Sequence, residues 1–204
     1  MKDMFNNDLY LDVMREIGTI GSGNALSSLS SMMANPVNMI VPVVKTMEYS
    51  QVLEDMGGPE QMLVGLLLTL GGDVEGMIMF LLHKDFAHVM LNTLLGKKIE
   101  NFEQIDEMGY SALKEVSSIM AGSYCNVISS MTGLTIKIST PDITVDMLGA
   151  IISVPTIYYA NISDRIIYIE GGFSGNGLVA NCHILMIPDE VSLKKILTNL
   201  GLEG

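Results

Sequence analysis

Between Asp8 and Met33 apolar residues recur at intervals of three and four, which predicts a long amphipathic helix. Asn7 or Asp8 is its N-cap candidate, and Asn35-Pro36 is the stop signal. Val37–Val44 is a β-branched run and reads as a strand. Met62–Leu70 and Val74–Leu82 are apolar runs joined by Gly71-Gly72-Asp73, the signature of two strands and a hairpin turn. Phe86–Leu95 reads as a short helix ended by Gly96. A second long helix is predicted over Phe102–Met131, ended at Gly133, followed by strands at Leu134–Ser139, Ala150–Tyr159, Ile166–Ile169 and Leu178–Ile187. A last helix, Glu190–Leu200, stops at Gly201.

The order long helix, strands, short helix therefore occurs twice, with three strands in the first half and four in the second. At a shift of 99 residues Asp12 falls on Ser111, Glu16 on Glu115, Thr19 on Ser118 and Gly23 on Gly122. Pro42 falls on Pro141, Gly72 on Gly171, and Val13, Ile17 and Ile20 fall on Ala112, Val116 and Ile119. An ordered series of this length reads as an internal duplication. No low-complexity linker separates the halves, so residues 1–204 are expected to form a single domain of two repeats, about 1–100 and 101–204, sharing one sheet. The expected class is mixed α/β: a mainly antiparallel sheet in a pseudo-twofold arrangement with two long helices.

Composition narrows what such a domain does. The net charge of −12 argues against nucleic acid and against anionic membrane surfaces, both of which need clustered Lys and Arg. The longest apolar stretch, Met62–Leu82, is interrupted by Gly71-Gly72-Asp73 and Glu75, so membrane insertion is not expected. The start, MKDMFNNDLYLD, has no apolar signal region, and a cytoplasmic location is expected. Cys125 and Cys182 lack metal or redox spacing and read as buried apolar residues. The 17 methionines fit an adaptable core.

Three other features are weighed as plain structure. Gly171-Gly172-Phe173-Ser174-Gly175-Asn176-Gly177 has the composition of a phosphate-binding loop but lacks the following helix, so a hairpin turn is expected. His83, Asp85 and His88 lack a fourth ligand, and no metal site is expected. Gly18, Gly21 and Gly23 inside a helix suggest close packing against a neighbour, each costing ~1 kcal/mol relative to Ala.

The candidate chemistry lies on the long helices. At ~100° per residue, Asp12, Glu16 and Thr19 fall within an arc of roughly 60°. Leu9, Val13, Ile17 and Ile20 form a predicted apolar stripe beside them. Ser111, Glu115 and Ser118 repeat the arrangement beside Val116, Ile119 and Met120. A single Glu with a hydroxyl three residues on is ordinarily a solvated face. Here both copies keep it, and both place 22 residues between the hydroxyl and a proline, Pro42 or Pro141. A carboxylate and a small polar group one turn apart on a rigid element suit a contact or catalytic pair.

The frame Asp/Ser-x3-Glu-x2-Asn-x22-Pro, present twice, marks the CheC-type phosphatases of bacterial chemotaxis, relatives of CheX and FliY. This sequence resembles them over essentially its whole length: Asp12-x3-Glu16-x2-Thr19-x22-Pro42, then Ser111-x3-Glu115-x2-Ser118-x22-Pro141. The stretch EIGTIGSGNALSSLS, with Gly21, Gly23, Asn24 and Ala25, is similar to the family's first helix. The resemblance implies dephosphorylation of phosphorylated CheY, a single-domain response regulator. In the family the Glu pairs with a Lys of the regulator beside its aspartyl phosphate, and the Asn orients the attacking water. Mg2+ is expected on the regulator, and no cofactor of the protein's own. A monomer is expected.

Both Asn positions are replaced here, by Thr19 and Ser118. A hydroxyl is shorter than a carboxamide by roughly one bond. Misplacement by ~1 Å costs on the order of a hundredfold in rate. Weakened phosphatase activity is therefore expected, with binding better preserved through Glu16 and Glu115. Asn24 and Asn126 lie too far along their helices to substitute. The alternatives are an inactive binding or scaffold protein, acting through CheY or the receptor deamidase CheD, and a flagellar switch component. The last is disfavoured because FliY-like proteins carry a further C-terminal switch domain, whereas this sequence ends at Gly204 after its last predicted helix.

Overall fold

The computed structural model describes residues 8–32, 38–159, 165–175 and 178–202. The elements run α1 (Asp8–Met32), β1 (Asn38–Glu48), α2 (Tyr49–Asp55), β2 (Met62–Gly72), β3 (Gly76–Leu82) and α3 (Lys84–Leu95). After a 3-10 turn at Phe102–Gln104 come α4 (Glu107–Thr132), β4 (Ile136–Ile138), β5 (Asp142–Met147), α5 (Leu148–Tyr159), β6 (Arg165–Gly175), β7 (Leu178–Pro188) and α6 (Glu190–Asn199). The strands form one sheet in the order β1-β6-β7-β3-β2-β4, with β5 also paired to β2, and every pairing is antiparallel. The fold is mixed α/β, as the sequence pattern predicts.

Strand order follows from burial. β3 reads GMIMFLL and is buried at every position, so it belongs at the centre with apolar layers on both faces. Its Ile78, Phe80 and Leu82 join the core beneath α1, α3, α4 and α6, whereas Met77, Met79 and Leu81 join the core beneath α2 and α5. β7 lies beside it and alternates the same way, with Ile184 and Met186 on the first face and Leu185 and Ile187 on the second.

Several expectations need correction. Ala150–Tyr159, expected as a strand, is part of helix α5, with Leu148, Ile151, Ile152 and Pro155 buried on one side. That spacing of three, four and seven is helical. Helix α2 and strand β5 do not appear in the sequence reading, and β1 extends to Glu48 rather than ending at Val44. The second long helix starts at Glu107, where the Asp106 side chain caps it by accepting from the Gly109 N–H, and not at Phe102. The proposed cap Asn7 and the stop Asn35-Pro36 lie outside the described residues.

The 99-residue spacing holds from α1 to α4 (Asp8, Glu107) and from α2 to α5 (Tyr49, Leu148). By α3 and α6, which begin at Lys84 and Glu190, it has grown to 106. The match of Gly72 to Gly171 is thus not an equivalence of place. Gly72 ends β2 with φ 98°, while Gly171 lies inside β6 opposite Cys182. The glycine-rich stretch expected as a turn is strand as far as Gly175, and Asn176-Gly177 lie outside the described residues.

Candidate functional site

Helices α1 and α4 pack against each other on one face of the sheet, and the fit is decided by side-chain size. The buried side of α1 is Met14, Ile17, Gly18, Gly21, Ser22, Ala25 and Leu29. On α4 it is Leu113, Val116, Ser117, Met120, Ala121, Tyr124 and Ile128, the same positions one repeat later. Small groups on α1 admit large ones on α4. A Cβ on Gly21 would stand 2.6 Å from Tyr124 Cδ1, and Ser22 Oγ lies 2.6 Å from the Tyr124 hydroxyl. Gly18 meets β1 in the same manner, with Val44 Cγ2 2.7 Å from its would-be Cβ. The expected close packing of the helix glycines thus holds at Gly18 and Gly21. Gly23 and its counterpart Gly122 face open space.

This packing corrects the expected apolar stripe and fixes the opposite face. Ile20 is 41% exposed and Val13 partly so; the buried line runs through Met14, Ile17 and Gly21 instead. Leu9 is outside the residues whose side chains are described. Opposite the packed side, Asp12, Glu16 and Thr19 are all exposed. On α4, Ser111 and Glu115 are exposed and Ser118 is half-buried. Both carboxylates therefore stand outward on rigid helices.

The two copies differ in detail. In the first, Arg15 donates to Asp12 Oδ1 at 2.7 Å, and the Thr19 hydroxyl has no partner among the described residues. In the second, the Ser118 hydroxyl turns back and donates to the Lys114 carbonyl at 3.0 Å, an oxygen that Ser117 also uses at 2.8 Å. The sequence reading passes over Arg15 and Lys114. They occupy the same place one repeat apart, so each Glu follows a cation, and the shift that aligned the glutamates carries that signal.

Pro42 and Pro141 are buried and do not belong to the exposed face. Pro42 sits in β1 where its register with β6 slips between Ile40 and Val43, a bulge that tolerates its missing N–H. Pro141 immediately precedes β5.

The remaining candidates do not converge on chemistry. His83 precedes α3 and packs edge-on against His183, with ring centroids 5.3 Å apart. His88 Nδ1 lies 2.6 Å from the Ile99 carbonyl. Among the described residues no group of three His, Cys, Asp or Glu has a metal-binding arrangement, and no helix is long and apolar enough to cross a membrane. Cys125 and Cys182 are free and buried, and burial pushes their thiols up to about 11 and about 12, away from reactivity.

The CheC-like family profile matches residues 108–145, which include the second Ser-Glu-Ser face and Pro141. A curated relative, the CheY-P phosphatase CheC of Bacillus subtilis strain 168, is 27% identical over 195 residues, 94% of this chain and 93% of that protein. Among solved structures, FliY of Thermotoga maritima superposes with a TM-score of 0.75 at 22% identity, covering 96% of this chain and 97% of the other. A chain of the FliG–FliM complex of H. pylori does so with a TM-score of 0.70 at 14% identity, covering 94% of this chain and 99% of that one. The likeness to these two structures is one of fold. The chain is thus similar in sequence to the CheC-like family and in fold to FliY, and it carries the doubled Glu frame on packed helices.

Proposed function

We propose that this protein binds a phosphorylated CheY-type response regulator through Glu16 and Glu115 and speeds loss of its aspartyl phosphate weakly. The observation that carries this reading is the exposure of both carboxylates on the outer faces of packed helices, each with a hydroxyl one turn further on. An outward carboxylate on a rigid helix is free to meet a lysine of the regulator, and a group 3 residues later enters the same small space. Thr19 and Ser118 then stand where an amide would orient the attacking water. The regulator's own Mg2+ supplies electrophilic stabilisation of the phosphoryl group.

Positioning is the main contribution such a protein makes, and a hydroxyl positions water less well than a carboxamide on a longer arm. One observation favours a binding protein without catalysis at the second site: the Ser118 hydroxyl already donates to Lys114 and must break that bond to hold water.

The test is a dephosphorylation assay with the cognate phospho-regulator, comparing the parent with Thr19→Asn plus Ser118→Asn. The variant is expected to be faster by on the order of a hundredfold. A parent already as fast as the variant would contradict the impairment, and a parent without effect on the phosphate lifetime would leave a binding protein.

A further inference from the structure

Beside the first Glu face lies an open cleft of about 470 Å³, walled by Leu11 and Arg15 of α1, Val44–Met47 of β1, and Gln51, Glu54 and Asp55 of α2. Val44 belongs to the core beneath α1 and Met47 to the core beneath α2, so the cleft wraps around β1 from one face of the sheet to the other. β1 is the end strand, with β6 as its sheet neighbour, and its outer edge borders this space.

The polar groups here are poorly matched among themselves. Lys45 reaches Asp55 at 3.4 Å, with both side chains nearly half exposed. Thr46 Oγ1 is buried with no hydrogen-bond partner among the described residues. A buried hydroxyl left unpaired is a standing cost that a bound polar group removes. Arg15 and Lys45 bring two cations to the cleft, each ion-paired (to Asp12 and to Asp55), and Glu54 and Asp55 bring two carboxylates. One repeat later, Lys45, Thr46, Glu54 and Asp55 become Thr144, Val145, Ser153 and Val154, so the second half lacks this set of charges.

We propose that the cleft is a second contact for the regulator held by Glu16. It takes a polar loop of that regulator bearing a carboxylate for Arg15 and Lys45 and a basic side chain for Glu54. This rests on the reading given under Proposed function. Arg15 and Thr19 lie within roughly 40° of each other around α1, so a protein seated on Glu16 and Thr19 covers the mouth of the cleft. Arg15 lines the cleft and is paired at 2.7 Å with Asp12 of the Glu face. Walls carrying both signs of charge select a segment that also carries both, because a ligand of one sign meets repulsion from half of them. The first site is thereby the stronger of the two, and Glu16→Ala costs more affinity than Glu115→Ala.

Amide hydrogen exchange on the full chain, alone and with regulator held in its active form by beryllofluoride, tests this. Residues 44–55 are expected to slow by at least about fivefold together with α1. In a second measurement, on a Glu115→Ala background, Lys45→Glu with Glu54→Lys is expected to weaken binding of the same regulator by about tenfold. Slowing of α1 with residues 44–55 unchanged, or a loss of affinity below about twofold, overturns the cleft contact and leaves the role of Glu16 standing. No slowing anywhere, with no binding by the parent, overturns both.

Discussion

Gly21 and Gly23 are two residues apart on one helix and answer to different constraints. A methyl group on Gly21 would collide with the Tyr124 ring, which is itself fully buried and tied to Ser22. Gly21→Ala is expected to destabilise the fold by about 1–3 kcal/mol, read from the urea midpoint. Gly23→Ala meets nothing within 4 Å and is expected to stabilise by up to ~1 kcal/mol through helix propensity alone. Opposite signs from neighbouring glycines of the same helix would establish that contact with α4, and not backbone freedom, holds Gly21.

His183 supplies a second expectation at this scale. It is buried, with Nδ1 2.6 Å from the Tyr168 hydroxyl, and burial first, then His83 and Lys45, bring its pKa down to about 4. In the unfolded chain the imidazole takes its proton near the ordinary value of about 6.5. Below that pH the unfolded state binds the proton that the folded state refuses. The contribution to stability is complete above pH ~6.5 and declines as pH falls toward about 4, by on the order of 3 kcal/mol in all. Urea titrations at neutral pH and near pH ~4.5 should show a smaller loss for His183→Gln than for the parent, since Gln keeps a polar partner for Tyr168 but does not titrate. Equal losses would contradict the assignment.

At the scale of elements, helices α3 and α4 were legible because the Gly96 and Gly133 stops agree with the structure, where both glycines adopt positive φ (65° and 74°). The central strands were legible as continuous apolar runs. The segment at α5 was not. Its composition, with four Ile or Val and an internal Pro155, carries strand propensity, and burial along one side against the sheet overrides it. The shift of 99 offered the missing hint: α2 and α5 begin one repeat apart, and Val52 and Ile151 are buried at matching positions. Strand β5 alternates polar and apolar residues but is only six residues long, with Ile143 and Val145 partly buried and the other four exposed, and its place is set by pairing with β2. Of the candidate site, the outward Glu16, Thr19 and Glu115 followed from helical period alone. The burial of Pro42, the retracted Ser118 hydroxyl and the cleft beside α1 depend on tertiary contacts that no local pattern encodes.

For the whole molecule, one antiparallel sheet holds two similar helices side by side and presents a carboxylate face on each. A rigid mount of this kind favours binding over motion, since both faces stand on buried, tightly packed backbones. On the proposed function, these faces meet a phosphorylated regulator. The direct test is equilibrium binding of the cognate CheY-type regulator, with and without beryllofluoride, to the parent and to Glu16→Ala with Glu115→Ala. The parent is expected to prefer the activated regulator, and the double variant to lose at least about tenfold in affinity while keeping its urea midpoint, because both side chains are exposed. A double variant that binds the activated regulator as tightly as the parent would contradict the account.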